Sequence, residues 1–504
     1  MNRKWSLGLA IAAIVAQAEC LCGQTGGPPP KHADDSHKRT QPLDPDDSQP
    51  FDSPADEGDS FSQRMQAAEG EIGMLRRGLQ SGELQGGVVF PGRDPSGFQP
   101  FAPRPGDQPG EIPPASISGL FQSDTGFFHQ DPASLQSLGR IDDGSDFRRA
   151  RLSALGSIAE NIHYLLEFDF ALFGHPSFRD VWMEVTRLPA VGAVRVGNFR
   201  EPFSLDALRS VRQLTFLERA LPVNAFAPFR RSGVMAYSNN EAETFTWAAS
   251  VSRAASDPYG GDIGVAGGYA GTGRLTWLPY YDEPSGGRYY LHVGGGYEYT
   301  VPDSHLVRFR QSTEFFVGSQ RTGGVVGTSG TSLSGPLNGT PLFVDTGNLN
   351  VHDYHLIGGE LAGSWSSLNF QAEAMTVIAN QIGGPTVALP GAYAQVSYFL
   401  TGEHRPYNRP AGVLSAVKPF ENFFVLKGGE HGKGAWEVAA RASWISLNDK
   451  NVQGGQLTDL TCGINWYLHP NAKLQFNYIH AFLTSPMGID SNTDIFAMRA
   501  QAAF

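Results

Sequence analysis

The chain has 504 residues, of which 17% are charged, 11% are aromatic and 60 are glycine, a composition with few strong helix formers. Its formal net charge of −12 argues against a protein whose whole surface binds nucleic acid, although a local basic site stays open. Three cysteines are too few for a disulfide scaffold and lack the spacing of a zinc site. We therefore expect little helix, no cofactor and no resident metal.

The first 114 residues predict four segments that precede the folded part of the chain. Residues 1–18 have a basic start, an apolar run and a small-residue exit, which is typical of a secretory signal peptide. Residues 19–60 are rich in Pro, Asp, Ser and Gln and predict a disordered acidic spacer. Residues 61–80 place apolar side chains four and three positions apart, which indicates a short coiled-coil-like helix or a frayed amphipathic one. Residues 81–114 predict a Pro/Gly-rich linker.

The rest of the chain, residues 115–504, alternates apolar and polar side chains with a period of two. One example sets Leu166 and Phe168 on one face of a strand against Glu167 and Asp169 on the other. No run of 18 apolar residues follows the signal peptide, so a membrane-spanning structure has to be a closed barrel. Because the polar faces carry carboxylates and arginines, the pattern predicts an all-β, transmembrane antiparallel β-barrel with a water-filled lumen.

Sixteen strands are predicted. They lie near 115–123, 146–156, 160–173, 178–188, 192–200, 232–238, 243–253, 262–278, 288–301, 353–365, 368–379, 391–401, 434–447, 457–468, 471–483 and 493–504. Tight connections alternate with long ones at 124–145, 201–231, 302–352 and 484–492, while the long turn 402–433 departs from this pattern. Short and long connections at opposite ends are typical of outer-membrane barrels, and the even count places both termini on the periplasmic side.

The segment from Arg187 to Arg231 is the richest in positive charge. It contains eight arginines and three acids, a local net charge of +5 in a chain of −12. Its loop is partly apolar, so we expect it to fold into the barrel rather than into water. Guanidinium groups there would form a constriction suited to oxyanions, because arginine offers paired donors and stays charged. The alternative is that the arginines pair with lumenal carboxylates and only brace the wall, for which the candidates are Glu167, Asp169, Asp180 and Glu184.

Several motifs resemble the phosphate-selective porin O and P family. The stretches VGNFREPFSL at 196–205 and LTFLERA at 214–220 resemble the inward-folding third loop of that family. Further matches, in family order, are FRRA at 147–150, YFLTGE at 398–403, GAWEV at 434–438 and GINWY at 463–467. The resemblance implies a trimeric, sixteen-stranded outer-membrane porin in which the FRRA arginines and basic residues of the third loop form an anion site. Family members known for phosphate selectivity carry lysines in that loop, at places held here by Ala207 and Arg212.

The sequence and the resemblance together predict one candidate anion pathway. It consists of Arg148, Arg149, Arg151, Arg195, Arg200, Arg209, Arg212 and Arg219. The expected partners are small anions such as phosphate, outer-membrane lipids, the barrel assembly machinery and two further copies of the chain.

No enzymatic motif was found: G-x-S-x-G and H-E-x-x-H are absent, and the glycine-rich stretch 428–434 lacks the spacing of a phosphate-binding loop. We therefore expect a passive porin in the outer membrane, with its N-terminal segment in the periplasm. The alternative is a structural envelope protein whose residues 61–80 tether the outer membrane while the barrel is mostly plugged. A barrel hydrolase is disfavoured, because the sequence presents no nucleophile with a base.

Overall fold

The computed structural model describes residues 115–171, 177–254, 267–315, 317, 340–423 and 432–504. The predicted signal peptide, spacer, coiled-coil-like helix and linker (1–18, 19–60, 61–80 and 81–114) lie outside the described residues.

Sixteen long strands are found in the described part of the chain. They are β1 Ser116–Gln130, β2 Gly144–Ala159, β3 Ile162–Asp169, β4 Ser177–Leu188, β5 Gly192–Arg200, β6 Arg230–Asn239, β7 Phe245–Arg253, β8 Tyr269–Tyr281, β9 Tyr289–Val301, β10 Leu349–Trp365, β11 Leu368–Gln381, β12 Val387–Phe399, β13 Ala435–Asp449, β14 Val452–His469, β15 Ala472–Thr484 and β16 Asp490–Ala503. The helices of the same residues are α1 Pro132–Leu138, α2 Leu205–Leu208 and α3 Leu221–Phe226, with 3₁₀ turns at Val211–Gln213 and Glu283–Ser285. None of these helices is long and apolar enough to cross a membrane.

The sheet closes on itself. Each strand pairs antiparallel with its neighbours in sequence, and β1 pairs with both β2 and β16. Leu120, for example, lies opposite Arg151 of β2 on one side and Ala503 of β16 on the other. Closure removes the unpaired edges that an open sheet would present to lipid. The predicted sixteen-stranded antiparallel barrel is therefore confirmed.

Burial in this barrel is reversed relative to a soluble protein. Large apolar side chains such as Leu275, Trp277 and Phe496 point outward and are more than half exposed. Charged side chains such as Glu167 and Arg499 point inward and are buried. An apolar outer band around a polar interior is the arrangement that a bilayer requires of a barrel. The period of two in the sequence thus predicted both faces correctly.

Several predicted strand boundaries differ from the structure, and two of the differences have a clear physical reason. The strand expected at 115–123 continues to Gln130, and the loop expected at 124–145 contains α1. The extension is stabilised by β16, whose Phe496 lies opposite Phe127. The strand expected to begin after Pro390 begins at Val387, because Pro390 pairs with β11 at a point where the ladder to β13 has not yet started. A proline is tolerated in a strand where its missing N–H has no partner to bond.

The connections differ in length at the two ends of the barrel. At the end where β1 begins and β16 ends, which we call the turn end, most connections are short, such as 160–161 and 470–471. At the opposite loop end, the third connection (201–229) and the fifth (302–348) are long. The expected two-residue turn at Asn239-Asn240 is longer than predicted, since residues 240–244 separate β6 from β7.

Three segments fold into the barrel. The first is the constriction loop, residues 201–229, which lies within the loop 201–231 that was predicted to fold inward; its almost complete burial confirms that fold. The second belongs to the fifth connection, where Phe309 and Phe343 pack in one apolar cluster with Phe226 of α3. The third is the turn-end insert, which comprises the described residues 400–423 and 432–434; it enters from the opposite end and packs Leu414 in the same cluster as Leu205 and Leu208 of the constriction loop.

A depression in the wall receives the constriction loop. Phe203 is fully buried, and its ring lies over Gly296 of β9 and Gly358 of β10. A Cβ atom at either glycine would come within 2.7 Å of that ring. Both glycines therefore leave the space that the Phe203 ring occupies, which fixes the root of the loop against the wall.

We predict that Gly358→Val destabilises the barrel, because the new side chain collides with Phe203. Overpacking of this kind costs about 1–3 kcal/mol. The neighbouring Gly359→Val is the control, since nothing lies within 4 Å of a Cβ atom at that position. Urea unfolding of the protein in lipid vesicles should give a lower midpoint for Gly358→Val only. Equal midpoints for the two variants would contradict the docking of Phe203 in this depression.

Candidate functional site

The constriction loop begins with a short, doubly capped helix. Ser204 has a positive φ of 67° and accepts a hydrogen bond from the Ala207 N–H, at 3.2 Å, through its hydroxyl. The carboxylate of Glu373, on β11, accepts from the backbone N–H groups of Leu205 and Asp206 at 3.0 and 2.9 Å. These acceptors satisfy three of the N–H groups at the start of α2 that have no partner within the helix. The loop is thereby attached to the far wall of the barrel.

Three arginines bind the backbone of the constriction loop itself. Arg200 donates to the carbonyl oxygens of Ala207 and Arg209, both at 2.8 Å. Arg219 donates from Nε to the Asp206 carbonyl at 2.6 Å, and from Nη2 to the Arg209 carbonyl. Arg209 in turn donates to the carbonyl of Gln213. The loop thus folds around the guanidinium groups of Arg200, at the end of β5, and of its own Arg209 and Arg219, and its carbonyl dipoles orient them.

Contact with a carbonyl leaves the charge of an arginine uncancelled. The carboxylate of Asp206 approaches Arg209 only at the 4.0 Å limit of an ion pair. Burial is the main cause that lowers the pKa of Arg209, to about 10, so the group stays protonated near neutral pH. Arg209 therefore carries a positive charge that no carboxylate among the described residues neutralises at hydrogen-bond distance.

Two further basic side chains contact the tip of the loop, one from the turn-end insert and one from the wall. Arg405, in the turn-end insert, donates to the Gln213 carbonyl at 3.0 Å and to the Glu437 carboxylate at 2.7 Å. Lys473, on β15, donates to the Leu214 carbonyl at 2.8 Å. Sequence reasoning missed both residues, because each lies about two hundred positions or more from the loop and neither belongs to a local basic run. The only available signal was the inward alternation of β15.

The arginines of the FRRA motif contact a carboxylate of the constriction loop. Glu218 accepts from Arg148 at 2.8 and 3.1 Å and from Arg149 at 3.0 Å. Arg499, on β16, donates to the same carboxylate at 2.8 Å and was also missed from the sequence. Burial acts to raise the pKa of Glu218, but the three guanidinium groups outweigh it and hold that pKa well below its usual range. Glu218 is therefore ionised at any physiological pH.

Two of the predicted pathway residues form ion pairs along the wall. Arg151 donates to Asp169 at 2.9 Å and contacts Glu167 at 3.3 Å. Arg195 pairs with Glu184 at 2.6 Å. These partners are among the carboxylates that the sequence offered for bracing, and the charges at these positions cancel locally. Arg151 and Arg195 are brought into the lumen but not into the constriction loop.

Arg212 lies at the surface of the loop tip and is partly buried. Its backbone carbonyl accepts from Gln501 at 3.0 Å, and its backbone N–H donates to the Ser210 hydroxyl. Of the eight predicted residues, Arg200, Arg209 and Arg219 thus gather within the loop, and Arg148 and Arg149 gather on Glu218. Among the described residues, no group of three or more His, Cys, Asp or Glu side chains is arranged to hold a metal ion.

Two proteins are similar to this chain in sequence. Porin O of Pseudomonas aeruginosa is 26% identical over 391 residues, which cover 73% of this chain and 83% of that protein. An uncharacterized protein of Caulobacter vibrioides is 27% identical over 349 residues, which cover 66% of this chain. The second alignment spans 62% of that protein, less than two thirds of its length.

Two solved structures, one of a porin and one of an outer-membrane protein, are similar to this chain. An anion-selective porin from Comamonas acidovorans has a TM-score of 0.46 and 12% identity, over 77% of this chain and 99% of its own. The trimer form of OmpT from Vibrio cholerae has a TM-score of 0.44 and 11% identity, over 77% and 99%.

The family comparison covers most of the chain. A family model described as phosphate-selective porin O and P matches residues 119–504, which include the whole constriction loop and all but the first residues of β1. With the closed barrel and its inward third loop, this match establishes that the chain belongs to the phosphate-selective porin O and P family of outer-membrane porins.

Proposed function

We propose that this outer-membrane porin lets small hydrophilic solutes diffuse passively with a preference for anions, including oxyanions such as phosphate. The observation that carries the proposal is that arginines at the constriction loop are held by backbone carbonyl groups, which orient a guanidinium group without cancelling its charge. Arg200, Arg209 and Arg219 contact backbone oxygens within residues 206–213. Rings of arginine or lysine are the lining that anion and phosphate pores use.

The placement of charge in the lumen supports this preference. Along the wall, arginines such as Arg151 and Arg195 are matched by carboxylates, so they add little net field. Within the constriction loop, Arg209 approaches the Asp206 carboxylate only at 4.0 Å, and its Nε atom has no acceptor among the described residues. These arginines are buried, so they would attract a permeating anion through space, in a region of reduced dielectric where a charge acts more strongly than in water.

The mechanism is passive. The constriction loop narrows the lumen, its guanidinium groups lower the barrier for an anion, and the cations at the loop tip (Arg405 and Lys473) offer a further weak site on the way to the turn end. Conduction requires binding that is favourable enough for entry and weak enough for exit. Since the lumenal carboxylates serve as partners of arginine, we propose a channel and not an enzyme.

The assembly and the N-terminal segments belong to the same proposal. In line with the family resemblance, we propose a homotrimer inserted by the barrel assembly machinery. The turn end would face the periplasm, so residues 19–114 would lie there after removal of a signal peptide at 1–18. The alternative of a structural tether through residues 61–80, which lie outside the described residues, would be supported instead by a barrel that does not conduct.

The ion selectivity of the wild-type channel tests the proposed function. In a planar bilayer with a tenfold gradient of potassium chloride, the zero-current potential should have the sign of a chloride-permeable pore, since Arg209 in the constriction loop is a positive charge that no carboxylate of the described residues matches at hydrogen-bond distance. A potential of the opposite sign, or no channel activity from correctly folded protein, would overturn the proposed function.

A substitution of Arg209 tests whether this residue sets the selectivity. Arg209→Gln should lower the ratio of chloride to potassium permeability by roughly two- to fivefold, the size expected when one partly screened charge is removed from a pore. The control is Lys418→Gln, which removes a cation from the exposed part of the turn-end insert. The measured quantity is the zero-current potential, and an equal shift in both variants would show that Arg209 does not set selectivity.

A further inference from the structure

A β-bulge in β2 re-aims one of the FRRA arginines. The register to β1 shifts between the pairs Ser123–Phe147 and Gln122–Arg149, which leaves Arg148 as the extra residue. Two consecutive side chains in a regular strand point to opposite faces. Here Phe147 points outward, and both Arg148 and Arg149 reach the same lumenal carboxylate. Bulges that redirect a side chain concentrate next to functional sites.

The redirected arginine completes a cup of three guanidinium groups. Arg148 and Arg149 come from β2 and Arg499 comes from β16, so the cup lies on the wall where the barrel closes. All three donate to the Glu218 carboxylate, with donor distances of 2.8–3.3 Å. Several planar forks directed at two oxygens form the donor set that recognises an oxyanion.

The carboxylate in this cup belongs to the constriction loop and not to the wall. The backbone carbonyl of Leu217 accepts from Arg499, and that of Glu218 accepts from Arg441 at 3.0 Å. Asp124 is the second acid in contact, paired with Arg499 at 2.6 Å. Three guanidinium groups and two carboxylates leave a net charge of +1, which would be +2 without the charge of Glu218.

We propose that Glu218 is an internal anion that occupies an oxyanion site of the barrel and thereby keeps permeating phosphate weakly bound. The inference rests on the proposed anion channel and names the residue that sets its oxyanion affinity. With Glu218 in the cup, an oxyanion passing the constriction finds the donors already engaged, so it leaves quickly. Without the carboxylate, the same three guanidinium groups form a strong site that retains phosphate.

The experiment compares Glu218→Gln with wild-type protein, using the full-length chain in planar bilayers. Chloride current is recorded while inorganic phosphate is added. We expect half-maximal block of the Glu218→Gln channel at a phosphate concentration roughly tenfold lower than for wild type, the factor that corresponds to one additional charge-assisted hydrogen bond. A glutamine keeps the size of the side chain and can still accept a hydrogen bond from one arginine, so the loop retains an attachment.

The matched control is Glu184→Gln. Glu184 is a buried lumenal carboxylate engaged by a single guanidinium, that of Arg195. Replacing Glu184 changes the lumenal charge by the same amount as replacing Glu218 but does not open a three-arginine cup. The phosphate concentration for half-maximal block should therefore stay within about twofold of the wild-type value. Equal gains in both variants, or no gain in Glu218→Gln, would overturn the proposal and assign Glu218 to loop anchoring alone.

A second variant at position 218 and the ion selectivity of the channel distinguish the possible outcomes. If Glu218→Gln fails to assemble, Glu218→Asp is the test, because it keeps the charge but withdraws it by one methylene. Stronger phosphate block than wild type supports the internal anion, and unchanged or weaker block overturns it. A wild-type channel that prefers cations would overturn the proposed function itself, whereas an anion-selective Glu218→Gln channel with unchanged block would overturn only the role of Glu218.

Discussion

The pairing of β1 with β16 is the contact on which the rest of the structure depends. Inside a bilayer, no water bonds an exposed N–H or C=O group, so the sheet must close without an edge. Closure fixes the two faces of every strand. The outer face takes Leu, Phe and Trp, and the inner face takes the charged side chains. The closed wall therefore encloses many charges that need partners inside the barrel.

Those partners are supplied in two different ways. Along the wall, arginine meets carboxylate, as Arg151 meets Asp169. A buried pair of this kind adds little net stability, because desolvation offsets the attraction, but removing one partner leaves a costly unpaired charge. In the constriction loop, arginine meets backbone carbonyls, as Arg219 meets Asp206 and Arg209. The first arrangement shapes the wall, and the second leaves the positive charge on which anion preference would depend.

Much of the fold was predictable from the sequence. Strand periodicity predicted all sixteen barrel strands, since each strand must present one apolar and one polar face. The inward fold of the loop was predicted because its apolar side chains would be unfavourable in water and its arginines would be directed to the lumen. The helix Pro132–Leu138 was missed, because its seven residues are too few for a helical period to stand out.

The candidate site was less predictable, for a physical reason. The alternation of apolar and polar residues along a strand shows which face of the strand a side chain lies on, but it does not reveal which segment packs against that face. Arg499 reaches Glu218 across 281 positions, and Lys473 reaches Leu214 across 259. The bulge at Arg148 depends on register with β1, which is a property of two strands. The sequence therefore predicted five of these arginines, namely Arg148, Arg149, Arg200, Arg209 and Arg219. Their contact partners could be assigned only from the structure.

The central claim is that anions carry most of the current through the constriction loop. The most direct test is the single-channel conductance of the wild-type protein when one ion at a time is replaced by a bulky one. Replacing chloride by gluconate should reduce the conductance strongly, while replacing potassium by Tris should change it little. A conductance that falls with Tris and persists with gluconate would contradict the account.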